Sequence, residues 1–222
     1  MSGKVNRRRE GTELRRAAIL QAARCVFAQK GFAETNVDDI AARAGVAKGT
    51  IYLYFPSKEQ IYMATLLADA RCLDTATRER MSAAQCWQDK VRSYVQVRLE
   101  YLDSHHEFLR IYLAEIRSMM LRGAPICSEF FHVVRESEGQ LAQVFAAASA
   151  RGEIRSVDPE LAATSVADLT RGIMERRLLG WHQSGECEVR FALDLLFHAF
   201  RISPQDGGPP ARNSSVAPST SV

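Results

Sequence analysis

The run Ile51-Tyr52-Leu53-Tyr54-Phe55 has the composition of a β-strand, yet Gly45 and Pro56 bracket it with helix punctuation. Between those residues there is room for about two helical turns or for a lone strand, and no second strand signal lies nearby. An unpaired strand leaves its backbone hydrogen bonds unmade, so the run is expected to be helical. In a helix over residues 48–55, Ala47, Ile51, Tyr54 and Phe55 face inward, and Lys48, Gly49, Thr50, Tyr52 and Leu53 face out. That removes the best strand candidate in the chain, and the expected class is all-α with about nine helices.

Upstream, Ile19, Ala22, Ala23, Val26 and Phe27 form the stripe of an amphipathic helix over residues 13–30, which Gly31 stops. Asn36 offers an N-cap oxygen and Asp39 a carboxylate three residues on, opening a short helix, Val37–Ala44, that Gly45 breaks and Val46 pins to the core. Downstream, Ser57 and Gln60 form a capping box for a long helix through Ile61, Leu66, Leu67 and Ala70. Helical stripes follow over Cys86–Leu102, Glu107–Met120 and Pro125–Arg151. Asp158 and Pro159 open another that runs to about His182, and Glu186–Arg201 is the last. Residues 203–222, rich in Pro, Gly and Ser, are expected to be disordered.

Charge divides along the same line. Residues 1–60 hold 11 Lys/Arg against 6 Asp/Glu, whereas residues 61–222 hold 18 against 20. A basic head on a near-neutral body is the distribution of a polyanion-binding module joined to a different functional domain. The expected division is a basic flexible arm at 1–12, a DNA-binding head at 13–60, a body at 61–202 and a tail at 203–222. No apolar run approaches the roughly 18 residues of a membrane span, and Met1–Thr12 lacks the apolar core of a secretory signal. The expected compartment is the cytoplasm. Five cysteines, Cys25, Cys72, Cys86, Cys127 and Cys187, are scattered without CxxC or metal-ligand spacing, so they read as separate reduced thiols, and no metal or cofactor site is expected.

Three short helices with tight breaks, the last about two turns long, describe a helix-turn-helix, with 37–44 bracing and 48–55 entering the major groove. The stretch GFAETNVDDIAARAGVAKGTIYLYFPSKEQIY, residues 31–62, resembles the signature of the TetR/AcrR family of transcriptional regulators. Its Gly-aromatic, Thr-x-Val-x-x-Ile-Ala, Ala-Gly-Val, Lys-Gly-x-Tyr-x-Tyr-Phe and Ser-Lys-Glu elements follow in the family's order. The resemblance implies that Lys48, Gly49, Thr50, Tyr52, Tyr54 and Lys58 touch DNA or shape the contact surface.

Chemistry gives the same residues reasons of their own. Lys48 and Lys58 can neutralise phosphates, Thr35 and Asn36 present donors at a helix N-terminus, and Gly49 lets the backbone approach the duplex. Tyr52 reaches a phosphate or packs on sugar and base edges, while Thr50 and Leu53 suit a thymine methyl. Two positions depart from the family pattern: Ala47 replaces a frequent Ser or Thr, removing a side-chain N-cap, and Leu53 replaces polar or aromatic groups. The Lys4–Arg9 arm adds non-specific attraction or enters a minor groove.

For the body, the resemblance implies a small-molecule effector domain and a homodimer built by the last two helices. Ala162, Ala163, Ser165 and Gly172 lie beside Leu161, Leu169, Ile173 and Leu179, and Phe191, Leu195 and Phe197–Phe200 give the last helix apolar faces. Polar residues within apolar helices are the cavity candidates: Tyr101, His105, Glu115 and Arg117 in the middle of the chain, then His132, Asp168, Arg171 and Glu175. An apolar, aromatic or acyl effector suits the surrounding Phe and Met residues. The expected function is a repressor released from a near-palindromic operator when effector binding shifts its conformational population. The alternatives are an activator of the same family and a sequence-nonspecific structural DNA binder. Catalysis is not expected: the chain has no glycine-rich phosphate loop, paired metal ligands or nucleophile elbow, and His105, His106 and Glu107 point around a helix rather than converge.

Overall fold

The computed structural model describes residues 2–106, 109, 128–181 and 185–201, the side chains of 2–9 and 185–186 apart. Eight helices make up the described chain: α1 (Ser2–Glu34), α2 (Val37–Ala44), α3 (Lys48–Tyr54), α4 (Lys58–Ala83), α5 (Trp87–Ser104), α6 (Ser128–Ala150), α7 (Pro159–Leu178) and α8 (Gly185–Ala199). No strand occurs among the described residues. The helix expected at Glu107–Met120, the Pro125 start and the 203–222 tail lie outside them, as do Cys127 and His182.

The helix ends follow local chemistry. Asn36 accepts a hydrogen bond from the Asp38 amide at 3.2 Å while its own amide donates to Asp39 Oδ2 at 3.3 Å, which fixes the start of α2. At its end Gly45 turns left-handed (φ 66°, ψ 33°), and the Gly45 and Val46 amides donate to Ala42 and Ala41. Ser57 caps α4 through the Gln60 amide, and Asp158 caps α7 ahead of Pro159.

Three expectations are corrected. Helix α1 begins at Ser2 rather than at residue 13, so residues 2–12 lie within it. Extending a helix is easier than nucleating one. Helix α7 ends at Leu178, short of His182, because Gly180 (φ 70°) makes a second left-handed cap, its amide donating to Arg177 O at 3.0 Å and that of Trp181 to Arg176 O at 3.1 Å. Ala47, expected to face inward, is exposed: as the N-cap of α3 it stands outside the helix whose periodicity placed it.

Packing forms two main apolar clusters. The first joins α1 to α4, with Ile19, Phe27, Ile40, Ile51, Ile61 and Tyr62 fully enclosed. Phe27 meets Tyr62 edge-on at 4.9 Å, and truncating it to Ala is worth a loss of about 3–5 kcal/mol. The first turns of α4 thus belong to the head's core, and Phe130 of α6 enters it too. The second cluster gathers α5 to α8 around Val91, Leu141, Phe145, Val166, Ile173 and Leu193. Arg24 with Asp69, and Arg71 with Glu129, tie α1 to α4 and α4 to α6.

Candidate nucleic-acid interface

Helix α3 is short and has no side-chain cap, so its anchors must fix it. Ile51 and Phe55 are buried in the head core, Tyr54 packs half-buried against it, and the Arg16 guanidinium lies 5.3 Å from the Phe55 ring centroid. The opposite face is left open. Lys48 and Gly49 are exposed, Tyr52 is 45% and Leu53 84% exposed, and Thr50 is half-buried between the two faces. An isoleucine-sized anchor and a fully displayed leucine two residues apart are what a helix shows when one side awaits a partner.

Gly49 strengthens that reading. A Cβ placed there would meet no atom within 4 Å, so packing inside the chain does not call for glycine. The missing side chain leaves room for something outside it. Lys48 sits beside it, its Nζ donating to Asp38 Oδ2 at 2.8 Å across the α2–α3 turn. That hydrogen bond raises the lysine's pKa, so the ammonium is held charged at the rim of the exposed face. Lys30 and Asp39 make a similar pair at 2.7 Å. Asp38, Lys30 and Asp39 escaped the sequence reading as parts of this surface, although Asp38 and Asp39 were legible as a helix N-terminus.

Thr35 and Lys58 have other work. The backbone leaves the helical region at Gly31 of α1 (φ 78°, ψ 172°); the Thr35 hydroxyl donates to the Gly31 carbonyl at 2.6 Å and the residue is buried, so it closes this break and presents no donor outward. Lys58 Nζ donates to the carbonyls of Phe32 (2.8 Å), Ala33 (3.2 Å) and Thr35 (3.0 Å). An ammonium has three N–H donors, so this triple engagement leaves none for a phosphate. In this structure both residues support the turn between α1 and α2. Asn36 remains exposed at that turn, its side chain committed to the cap.

The six described effector candidates fall on or beside α5, α6 and α7. Tyr101 and His105 stack with ring centroids 4.1 Å apart, and burial pushes the Tyr101 phenol up to about 12. His132 lies exposed beside Glu136, Asp168 pairs with Arg171 at 2.9 Å, Glu175 is exposed, and Glu115 and Arg117 lie outside the described residues. A groove of about 600 Å³ opens instead between α4, α5 and α6, lined by Arg78, Met81, Lys90, Gln140 and Val144 among others. None of the six described candidates lines it. No described helix is long and apolar enough to cross a membrane.

A capped bracing helix, a left-handed glycine turn and a short helix anchored on one face and bare on the other define a helix-turn-helix protein of the nucleic-acid-binding class. Residues 19–65 match the model of bacterial regulatory proteins of the tetR family, and residues 94–186 match the C-terminal domain of AefR-like transcriptional repressors. The chain belongs to the tetR family of bacterial regulatory proteins. It is 32% identical over 128 residues to the HTH-type transcriptional regulator RutR of Escherichia coli, 55% of each chain being covered. To the transcriptional activator FasR of Mycolicibacterium smegmatis it is 30% identical over 97 residues, 44% of each chain. The chain thus spans about half the length of the curated relatives it matches. Among solved structures, FadR of Bacillus subtilis in complex with stearoyl-CoA shares the fold, with a TM-score of 0.68, 22% identity, and coverage of 81% of this chain and 96% of that one.

Proposed function

We propose that the protein is a cytoplasmic, effector-responsive transcriptional repressor that binds a near-palindromic operator as a homodimer. The observation that carries this reading is α3, anchored by Ile51 and Phe55 while Lys48, Gly49, Tyr52 and Leu53 are exposed on the other face. Lys48 neutralises a phosphate, Gly49 admits the backbone, and Tyr52, Leu53 and Thr50 meet sugar and base edges. Tyr54 shapes this surface from the core edge, and Asn36 sets the N-terminus of the bracing helix.

Repression is favoured over activation by the AefR-like repressor match to residues 94–186, although the FasR relative is an activator. Dimerisation by the last two helices is supported by the apolar surface they leave bare: Leu161, Leu179, Phe191 and Leu195 are all more than half exposed, and so is Trp181 just beyond α7. Two heads about 34–36 Å apart read half-sites one DNA turn apart. An effector in the body lowers operator affinity by its differential affinity for the two head spacings and by no more.

The experiment is in vitro selection of bound DNA with the full chain, followed by a reporter carrying the selected site. Enrichment of an inverted repeat and reduced transcription support the proposal. A site-independent affinity for random DNA would make the protein a nonspecific binder, and raised transcription would make it an activator.

A further inference from the structure

Among the described residues of the body, Arg98 is a cation that neither an ion pair nor the proposed DNA contacts explain. Arg98 of α5 reaches between α4 and α6, where Nη1 donates to Thr77 Oγ1 at 3.2 Å and to its own helix's Tyr94 carbonyl at 3.1 Å, and Nη2 donates to Ser137 Oγ at 2.7 Å. The guanidinium carbon lies 3.4 Å from the Tyr94 ring centroid. Every one of these partners is formally neutral.

The carboxylates nearby are engaged elsewhere. Asp74 takes Arg78 at 2.6 Å and the Gln140 side-chain amide at 3.3 Å, and Glu138 faces Arg171 at 3.8 Å. Among the described residues, Arg98 therefore has no carboxylate at ion-pair distance, and its Nε–H and one Nη2–H have no acceptor. By surface area the residue is half-buried, yet enough protein surrounds the guanidinium that burial pulls its pKa down. Holding a charge there without an ion-pair partner works against stability, because neutral hydrogen bonds satisfy donors without cancelling charge. A structural strut between three helices needs only neutral donors. A planar cation with two donors left on neighbouring nitrogens matches a carboxylate or phosphate, which takes such a pair in parallel.

Arg78 and Gln140 line the open groove between α4, α5 and α6, and both bind Asp74, whose carboxylate acts on Arg98 through space. Met81 and Val144 give the groove an apolar lining, and Lys90 adds a cation to it. We infer that Arg98 is an oxyanion receptor, and that the effector in the function proposed above is an apolar acid bearing a carboxylate or a phosphate monoester. This rests on the regulator reading for its meaning but not for its test.

The test is thermal unfolding of the full chain with octanoate, with octyl phosphate and with neutral octanamide. At least one anion is expected to raise the melting temperature in a concentration-dependent way, and which of them does so identifies the acid; octanamide is expected to leave it unchanged. In Arg98→Gln the anion shift should vanish, whereas Ser137→Ala, which removes a strut and keeps the cation, should retain it. If Arg98→Gln does not fold, Arg98→Lys should weaken the anion's apparent affinity about tenfold. No response to either anion, an equal response to octanamide, or an unchanged response in the Arg98 variants overturns the receptor. Operator binding in the same samples separates the two readings: an anion response without DNA binding sinks the regulator alone, and DNA binding without an anion response sinks the receptor alone.

Discussion

Lys58 donates from Nζ to the Phe32 carbonyl at 2.8 Å while its ammonium sits 4.6 Å from the centroid of the Phe32 ring. One side chain thereby serves both the open carbonyls at the end of α1 and the aromatic that packs beneath them. Lys58→Met is expected to destabilise the chain by about 2 kcal/mol, since it removes charge-assisted hydrogen bonds to partly buried carbonyls. Urea unfolding measures this. In the fraction that remains folded, the slope of log affinity against log salt should stay unchanged; a drop of about one in that slope would return Lys58 to the phosphate contacts.

Gly49 separates stability from recognition. A Cβ at that position meets nothing within the chain, so Gly49→Ala should stabilise α3 by up to about 1 kcal/mol through helix propensity. Operator affinity should fall all the same, because the added methyl occupies the space kept for the duplex. A variant that melts higher and binds as well as the parent would show that nothing approaches this position.

Ala47 is the N-cap of α3 with extended backbone (φ −69°, ψ 147°) and no capping side chain. Ala47→Ser supplies an oxygen for an amide in the first turn, and a gain of roughly 0.5–1 kcal/mol is expected. Chemical denaturation of the two proteins side by side checks it.

Acid should loosen the head through Asp39. Its carboxyl is held below the ordinary 3.8, chiefly by the hydrogen bond from Lys30 and then by the Asn36 amide. A depressed folded pKa stabilises above the unfolded value and is lost as pH falls through the folded one, so the loss belongs to the window below about pH 4. Melting curves at pH 7 and pH 3 should differ less in Asp39→Asn than in the parent. An identical difference would remove Asp39 from the acid response.

The parts of this fold that sequence foretold rest on short-range chemistry. Asn36 with Asp39, Ser57 with Gln60, and Asp158 with Pro159 sit within one helical turn of each other, so their caps could be read from spacing alone. The strand-like Ile51–Phe55 run resolved into α3 for the same reason, through the punctuation on either side. The clamp that Lys58 makes was not legible because its carbonyl partners lie up to 26 residues back in the chain, and a surface lysine and a helix clamp look alike until α1 and α4 pack. Arg98 passed unnoticed inside an apolar stripe, since its meaning depends on Thr77 and Ser137 arriving from two other helices. Polar residues on separate helices carry no signal of which faces meet, so the sequence could not say which of the effector candidates share a site.

The most direct measurement is operator binding by the Lys48→Ala, Tyr52→Ala double variant. Both side chains are exposed on α3, and neither belongs to the head's buried core. The variant should unfold with the parent's cooperativity and keep its oligomeric state in sedimentation, while its specific binding to the selected DNA site is abolished in a gel shift. Retained binding at the parent's affinity, in a folded variant of unchanged assembly, would contradict the placement of the recognition surface on α3.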